Sequence, residues 1–383
     1  MTGNAPLRLG VVGTGAIALR GLLPHLTQDD VQDRVKVVAV CDPVPGRATA
    51  VADRFGIAHA FADLETLLAE GGVDLVSIAS PIGLHHGQAR QALEAGVHVH
   101  VNKTLATTVA EADELIALAQ ARALCLVASP GEALRPQLRR IRELIASGAV
   151  GQLAFAVCGC AFGTYHERDE PEREAPPGEA PIDPAWYFGK PGGGPMYDMT
   201  VYALHQLTTV LGPARRVTAL SGQVVPVRQF LGRSIPVDAD DNTILLLDFG
   251  NGAFAVAYGA ASAGTIIEDF AAGSYYGTTG AIVGLELNGE PFEFEGRELT
   301  THAPPWDWDA QMHVLPHVVG PHRAIAESHV FEDVMQLVDL VRDGLPTAAT
   351  PEHARHVIEI IESGYRAAES GQTQTLRTTF DPV

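Results

Sequence analysis

Apolar runs and amphipathic stretches alternate regularly through the first third of the chain. Leu7 and Leu9 are apolar, and the stretch 10–18, GVVGTGAIA, sets glycines where a buried strand would turn into a helix over 19–26. The β-branched run 35–41 (VKVVAVC) predicts a second strand, ending at Asp42, and 46–55 predicts a helix that Gly56 stops. Asp63 caps a helix over 64–70 that Gly71-Gly72 ends. A strand over 73–79 breaks at Ser80-Pro81, a helix over 84–95 stops at Gly96, and 97–101 (VHVHV) alternates strictly before Asn102-Lys103-Thr104. Thr108 and Glu111 form a capping box for a helix over 109–121, and 124–129 (LCLVAS) closes the series. Strands alternating with single helices predict an α/β doubly wound parallel sheet, a dinucleotide-binding Rossmann domain over residues 1–130.

The pattern then changes. A helix over 132–147 leads to an apolar strand over 150–162 and a charged, proline-rich stretch over 163–184 that reads as a surface loop or a lid. Gly192 to Gly194 precede a helical pattern over 198–211, after which 217–225, 242–249, 253–258 and 281–287 read as strands. Asn251-Gly252 is a hairpin turn signal. Helices return over 331–343, closed by Gly344, and over 351–369, where Thr350 caps and Pro351 takes the first position. Successive strands without intervening helices predict a C-terminal α+β domain over 131–383 with a large mixed or antiparallel sheet, its last helices free to pack back on the first domain.

Composition narrows the function. The chain has 383 residues, 46% of them hydrophobic, and a formal net charge of −20, which disfavours nucleic acid and anionic membranes as partners. No apolar run reaches the roughly 20 residues of a membrane span, and the N-terminus lacks a basic and apolar leader pattern. Four scattered cysteines fit a reducing cytoplasm, and Cys158 and Cys160 read as small buried hydrophobes. Two chemical constellations remain. In Gly13-x-Gly15-x-x-Ala18 the first glycine permits a tight turn, the second lets backbone approach a pyrophosphate, and Ala18 allows close helix packing, with Ala16 and Ile17 opening the helix. Asp42, about 24 residues past Ala18, stands where a carboxylate meets ribose hydroxyls, which favours NAD, while nearby Arg47 keeps NADP open. Ser80, Pro81, Asn102 and Lys103 follow later strands and belong at the same sheet edge. On the helix over 198–211, Asp198, Tyr202 and His205 share one face.

These segments resemble the glucose-fructose oxidoreductase, inositol dehydrogenase and rhizopine-catabolism (Gfo/Idh/MocA) family. The resemblance is carried by 10–18, by Ser80-Pro81 with His85, by 92–99 (ALEAGVHV), by Lys103, and by Asp198 and Tyr202 after the triple glycine. The family's Glu-Lys-Pro reads Asn102-Lys103-Thr104 here, and Thr200 stands where glycine is usual. The resemblance implies an NAD(P)-dependent oxidoreductase acting on a sugar, cyclitol or related polyol, with His85 added to the cofactor set and a homodimer or homotetramer as the assembly. Removing a hydride from a carbinol carbon also requires a base for the hydroxyl proton. Tyr202 is the candidate proton acceptor, its phenol drawn down by the Lys103 ammonium, with Asp198 orienting and His205 touching substrate. Two other readings stay open: an NAD-dependent lyase or hydrolase that cleaves a glycoside through transient oxidation, and a non-catalytic NAD-binding regulator. Trp306, Trp308, His313, His317 and His322 read as loop or pocket lining, with no metal site, and the rings of Trp186, Tyr187, Trp306 and Trp308 suit either sugar faces or the core.

Overall fold

A computed structural model describes residues 5–161, 163, 173, 181–262, 273–296 and 314–382. The first six strands, β1 (Leu7–Val12), β2 (Val35–Cys41), β3 (His59–Phe61), β4 (Leu75–Ile78), β5 (His98–Val101) and β6 (Leu126–Ala128), form one sheet in the order β3-β2-β1-β4-β5-β6. Every pairing in it is parallel. Alternate side chains enter two cores, Leu9, Val11 and Leu75 on one face and Val12, Val76 and Ile78 on the other. Helices α1 (Leu23–Leu26), α2 (Arg47–Phe55), α3 (Leu64–Glu70), α4 (His85–Glu94) and α5 (Val109–Arg122) supply the crossovers, α1 following a π-turn over Ala18–Leu22. Asp63 accepts from the Thr66 amide and Thr108 forms its capping box with Glu111, as the sequence predicts. The short β3 has too few residues to show a period and was not predicted.

The helix predicted over 132–147 is interrupted. A 3-10 turn over Glu132–Leu134 gives way to α6 (Pro136–Ala146), because the residue before a proline leaves the helical region, and Arg135 is extended at ψ 119°. Beyond it, β7 (Leu153–Ala161), β8 (Arg216–Gly222), β11 (Asn242–Gly250) and β12 (Ala253–Ala260) belong to a nine-stranded sheet, with α7 (Val201–Leu211) on its inner face. The β7–β12 pair is parallel and the other pairings antiparallel, so this second sheet is mixed. Asn251 and Gly252 turn the β11–β12 hairpin with positive φ at both residues, 55° and 80°. The strand predicted over 281–287 splits into β14 (Ala281–Val283) and β15 (Glu286–Leu287) around Gly284, whose φ is +57°. The small hairpin β9–β10 (Val227–Phe230, Arg233–Pro236), β13 (Ser274–Gly277), β16 (Glu290–Pro291) and β17 (Gln374–Thr375) complete the strands and were not predicted.

The last helices return to the first sheet. Helix α8 (Ser328–Asp343) sends Val330, Phe331, Val334 and Val338 into the core that holds Leu9 and Val11. Helix α9 (Pro351–Ser370) divides its face, with Ala354 and Ile358 in the first sheet's other core and Val357 and Ile360 in the second sheet's core. Among the described residues no helix is long and apolar enough to cross a membrane. Trp306, Trp308 and His313 lie outside the described residues, as does most of 163–184.

Candidate active site

The parallel ladder continues past the strand ends and gathers four loops. The Gly13 amide donates to Cys41 O at 2.9 Å, Ala79 to Val12 O at 2.8 Å, Asn102 to Ile78 O at 2.9 Å, and Ser129 to Val101 O at 2.9 Å. Gly13 turns at φ +87°, and a Cβ there would lie 2.8 Å from the Ser80 amide nitrogen, so only glycine fits. At Gly15 an added Cβ would meet nothing within 4 Å, which leaves open space beside the backbone just where Ala16 begins the helix. A pyrophosphate needs this combination of exposed backbone and helix start, so the turn fits a dinucleotide.

Asp42 closes the far end of that groove. Its Oδ2 accepts from the Thr14 amide at 3.0 Å and the Thr14 hydroxyl at 3.1 Å, and its Oδ1 from the Val44 amide at 2.9 Å and Arg47 at 3.4 Å. Arg47 also donates to Pro181 O at 2.9 Å, which ties the loop after β2 to the start of the second domain's described chain. The Asn102 side chain accepts from the Lys103 amide at 2.7 Å and Ser80 Oγ donates to Gln88, so both polar groups are engaged in shaping their loops. Ile17 packs against the core beneath the turn.

His85 belongs elsewhere. It is fully buried, with Nδ1 2.7 Å from Thr104 O and Nε2 2.9 Å from Ser80 O, so it clamps two loops together and does not face a cofactor. Burial pushes its pKa down against the pull of the two carbonyls.

Lys103 reaches from the end of β5 to the N-terminal end of α7. Its Nζ pairs with the Asp198 carboxylate, donates to Asp198 O at 2.5 Å, and lies 5.5 Å from the centroid of the Tyr202 ring. Asp198 sits in a π-turn over Met196–Thr200 that precedes α7, and Thr200 is wholly buried with its side chain against Gly259 of β12. Three predicted residues therefore meet at the sheet edge. Two expectations need correction. The Tyr202 phenol is not drawn down by Lys103: burial pushes it well above its ordinary value, and Glu327, Asp198, Glu132 and Asp333 push the same way, while the ammonium is committed to Asp198 and faces the ring. His205 does not reach this cluster. Three residues beyond Tyr202 it points about 60° round the helix, where its ring lies 4.4 Å from that of His353 and burial pushes its pKa down to about 3.

The hydroxyl of Tyr202 instead meets a residue without a sequence signal. His329 Nε2 lies 3.0 Å from Tyr202 Oη, from the first turn of α8. His317 and His322 do not converge: His317 pairs with Glu332 at 2.9 Å and Asp339 at 3.2 Å, and His322 stacks on His25. Cys158 and Cys160 are buried in β7, and Tyr187 is buried beside the partly exposed Trp186.

Residues 7–129 match the oxidoreductase family with an NAD-binding Rossmann fold, and 138–283 match the GFO/IDH/MocA C-terminal domain. The chain is 30% identical over 249 residues to dTDP-3,4-didehydro-2,6-dideoxy-alpha-D-glucose 3-reductase of Saccharopolyspora spinosa, covering 64% of this chain and 68% of that protein. It is 26% identical over 263 residues to D-glucoside 3-dehydrogenase of Escherichia coli, covering 65% and 68%. Other curated relatives are spanned over 54% to 64% of their length. The fold matches the WlbA dehydrogenase from Bordetella pertussis, solved with NADH and UDP-GlcNAcA, at a TM-score of 0.71 and 17% identity, over 98% of this chain and 100% of that one. From the glycine turn to the mixed sheet, the chain belongs to the Gfo/Idh/MocA family of NAD-binding oxidoreductases.

Proposed function

We propose that the protein moves a hydride between nicotinamide and a hydroxyl-bearing or keto carbon of a sugar, cyclitol or related polyol. The observation that carries this reading is the Lys103–Asp198 pair set over the Tyr202 ring at the same strand ends as the glycine turn. When bound, the nicotinamide supplies the hydride acceptor or donor. Asp198 holds the Lys103 ammonium in place, Lys103 binds and polarises the substrate oxygen, and Tyr202 exchanges the hydroxyl proton. The sugar-related relatives support the substrate class. Asp42 favours NAD, since its carboxylate would repel a 2′-phosphate.

The assembly belongs to the same proposal. The nine-stranded sheet buries one face on α7, and among the described residues its other face is open, with Leu220 74%, Phe254 49% and Leu246 49% exposed. Phe254 pairs in register with Phe155, whose ring lies 6.4 Å from that of Tyr276. A patch of this kind suits a second copy of the chain, giving a homodimer or homotetramer. Four cysteines outside any disulfide and the net charge of −20 support a cytoplasmic enzyme without nucleic-acid partners.

The test is to incubate the purified protein with NAD or NADP and a panel of sugars, cyclitols and their keto forms, following NADH absorbance. Turnover of at least one polyol with NAD preferred is the expected result. Failure of every member with both nucleotides overturns the hydride-transfer reading, and a clear NADP preference overturns the role given to Asp42.

A further inference from the structure

Helix α8 begins abruptly. Glu327, the residue before it, has φ +58°, a left-handed conformation that residues with a side chain seldom adopt. Its side chain pairs at 3.3 Å with Arg20, in the π-turn that precedes α1, while remaining partly exposed. Two residues on, His329 is buried between Glu327 and Tyr202. Its Nε2 lies 3.0 Å from Tyr202 Oη and its Nδ1 3.9 Å from Glu327 Oε2. The three groups thus form a line from the Lys103 end of α7 to the protein surface.

Tyr202 needs such a neighbour. A phenol buried among carboxylates does not ionise on its own at neutral pH, so it can accept a proton from substrate only by giving up its own. We propose that His329 takes the Tyr202 proton while the hydride moves and that Glu327 balances the imidazolium formed. The proposal rests on the oxidoreductase reading and deepens it. In the oxidation direction the substrate O–H bond breaks and its proton passes to Tyr202 Oη. The Tyr202 O–H bond breaks and that proton passes to the Nε2 lone pair, and the C–H electron pair leaves with the hydride. Tyr202 stays neutral throughout. Once product has left, His329 returns its proton to Tyr202 as the phenol releases one to water, and the line is reset.

Burial keeps the His329 ring neutral between turnovers, with Arg135 at the N-terminal end of α6, Lys103 after β5 and His25 on α1 acting the same way, so Nε2 accepts from the Tyr202 hydroxyl and the imidazolium is short-lived. Glu327 sits close to Nδ1, and Glu132, Glu332 and Asp333 line the same small cavity. Closing the 3.9 Å gap to Glu327 takes a movement of about 1 Å, which brings the pair to hydrogen-bond distance. His329 touches Tyr202 and acts through it, so it is a positioning residue with a proton-holding role.

The test has two readouts. In 15N-histidine-labelled protein without added nucleotide, Tyr202→Phe must shift the His329 Nε2 resonance, as loss of a donated hydrogen bond requires. In single turnover with NAD and a polyol that the wild type oxidises, the wild-type rate is expected to be flat between about pH 7 and 9. In His329→Gln the rate falls about a hundredfold at neutral pH and climbs about tenfold per pH unit, because the phenol must then lose its proton to hydroxide. Glu327→Gln, at a partly exposed position, lowers kcat about tenfold with KM unchanged, and Glu327→Asp recovers part of it. An unshifted resonance, or a His329→Gln rate that is wild-type and flat with pH, overturns the proton store while leaving the oxidoreductase reading in place. Absence of turnover in the wild type on the whole panel, with the resonance shift present, overturns the oxidoreductase reading and the proton store with it.

Discussion

At the scale of single residues, the Lys103–Asp198 pair is both a structural and a chemical element, and the two roles separate experimentally. The side chains are only 13% and 11% exposed, so removing the ammonium leaves a largely buried carboxylate without its counter-charge. Loss of one partner of such a pair costs about 3–5 kcal/mol, whereas replacing both with neutral groups costs far less. Lys103→Met is therefore expected to destabilise the protein by about 3 kcal/mol in urea unfolding and to abolish single-turnover NADH formation. Adding Asp198→Asn recovers most of the stability and none of the rate. A double variant as unstable as Lys103→Met would show that the cost comes from lost packing at 103 and not from a stranded charge. The same comparison explains Asn102 and Thr104. Neither matches the family pattern, yet Asn102 accepts the Lys103 amide and Thr104 O meets His85, so the loop that presents the lysine is held by bonds of its own.

At the scale of elements, legibility followed local physics. The Rossmann half was readable because each strand ends in a distinct breaker: Asp42, Ser80-Pro81 and Asn102 mark the ends of β2, β4 and β5, and the caps at Asp63, Thr108 and Thr350 all form in the structure. Lys103, Asp198 and Tyr202 were readable because a glycine run and a polar stripe flank them. His329 was not, since its partner lies 127 residues away and one histidine in the apolar α8 carries no period. His205 misled for the converse reason, as a shared helical face in sequence does not say which neighbour it meets. Strand β11, NTILLLDFG, is informative in another way, because it is apolar at both parities and so asks for cover on both sides. Its outward Ile244 and Leu246, with Phe254 on β12, form the open patch. Leu246→Glu combined with Phe254→Lys is expected to convert the assembly to monomer in size-exclusion chromatography with light scattering, with the monomer still folded by circular dichroism. An unchanged oligomer mass would place the interface on another surface.

At the scale of the whole molecule, buried titratable groups fix the pH at which the fold is most stable. His25 and His356 are pushed down to about 4 and His100 and His205 to about 3, in each case chiefly by burial. These four rings stay neutral in the fold while the unfolded chain protonates them below about pH 6.5. Between pH 4 and 6.5 the unfolded state thus binds more protons at these sites, so stability falls as pH falls; His85, His329 and His353, also lowered, act in the same direction. Glu132, pushed up to about 7, and Asp333, to about 8, both chiefly by burial, work with the opposite sign. The folded state keeps their protons where the unfolded state has lost them, so their contribution is present at low pH and drains away as pH rises through 7 and 8. His317 joins them. Its bonds to Asp339 and Glu332 overcome burial and raise it to about 9, so its stabilisation is complete below 6.5 and lost as pH climbs through 9. At pH 5.5 these seven lowered histidines outweigh the two raised carboxyls, so the unfolded state binds more protons and the stability climbs with pH. As pH rises past neutrality the unfolded histidines lose their protons, and the carboxyls with His317 reverse the slope. Urea unfolding across pH 5 to 9 is expected to give a maximum near neutral pH, with His317→Gln flattening only the alkaline side. A stability that is flat or still rising at pH 8 would mean that Glu132 and Asp333 are ionised in the fold, and that the ion cluster behind His329 holds its charges bare.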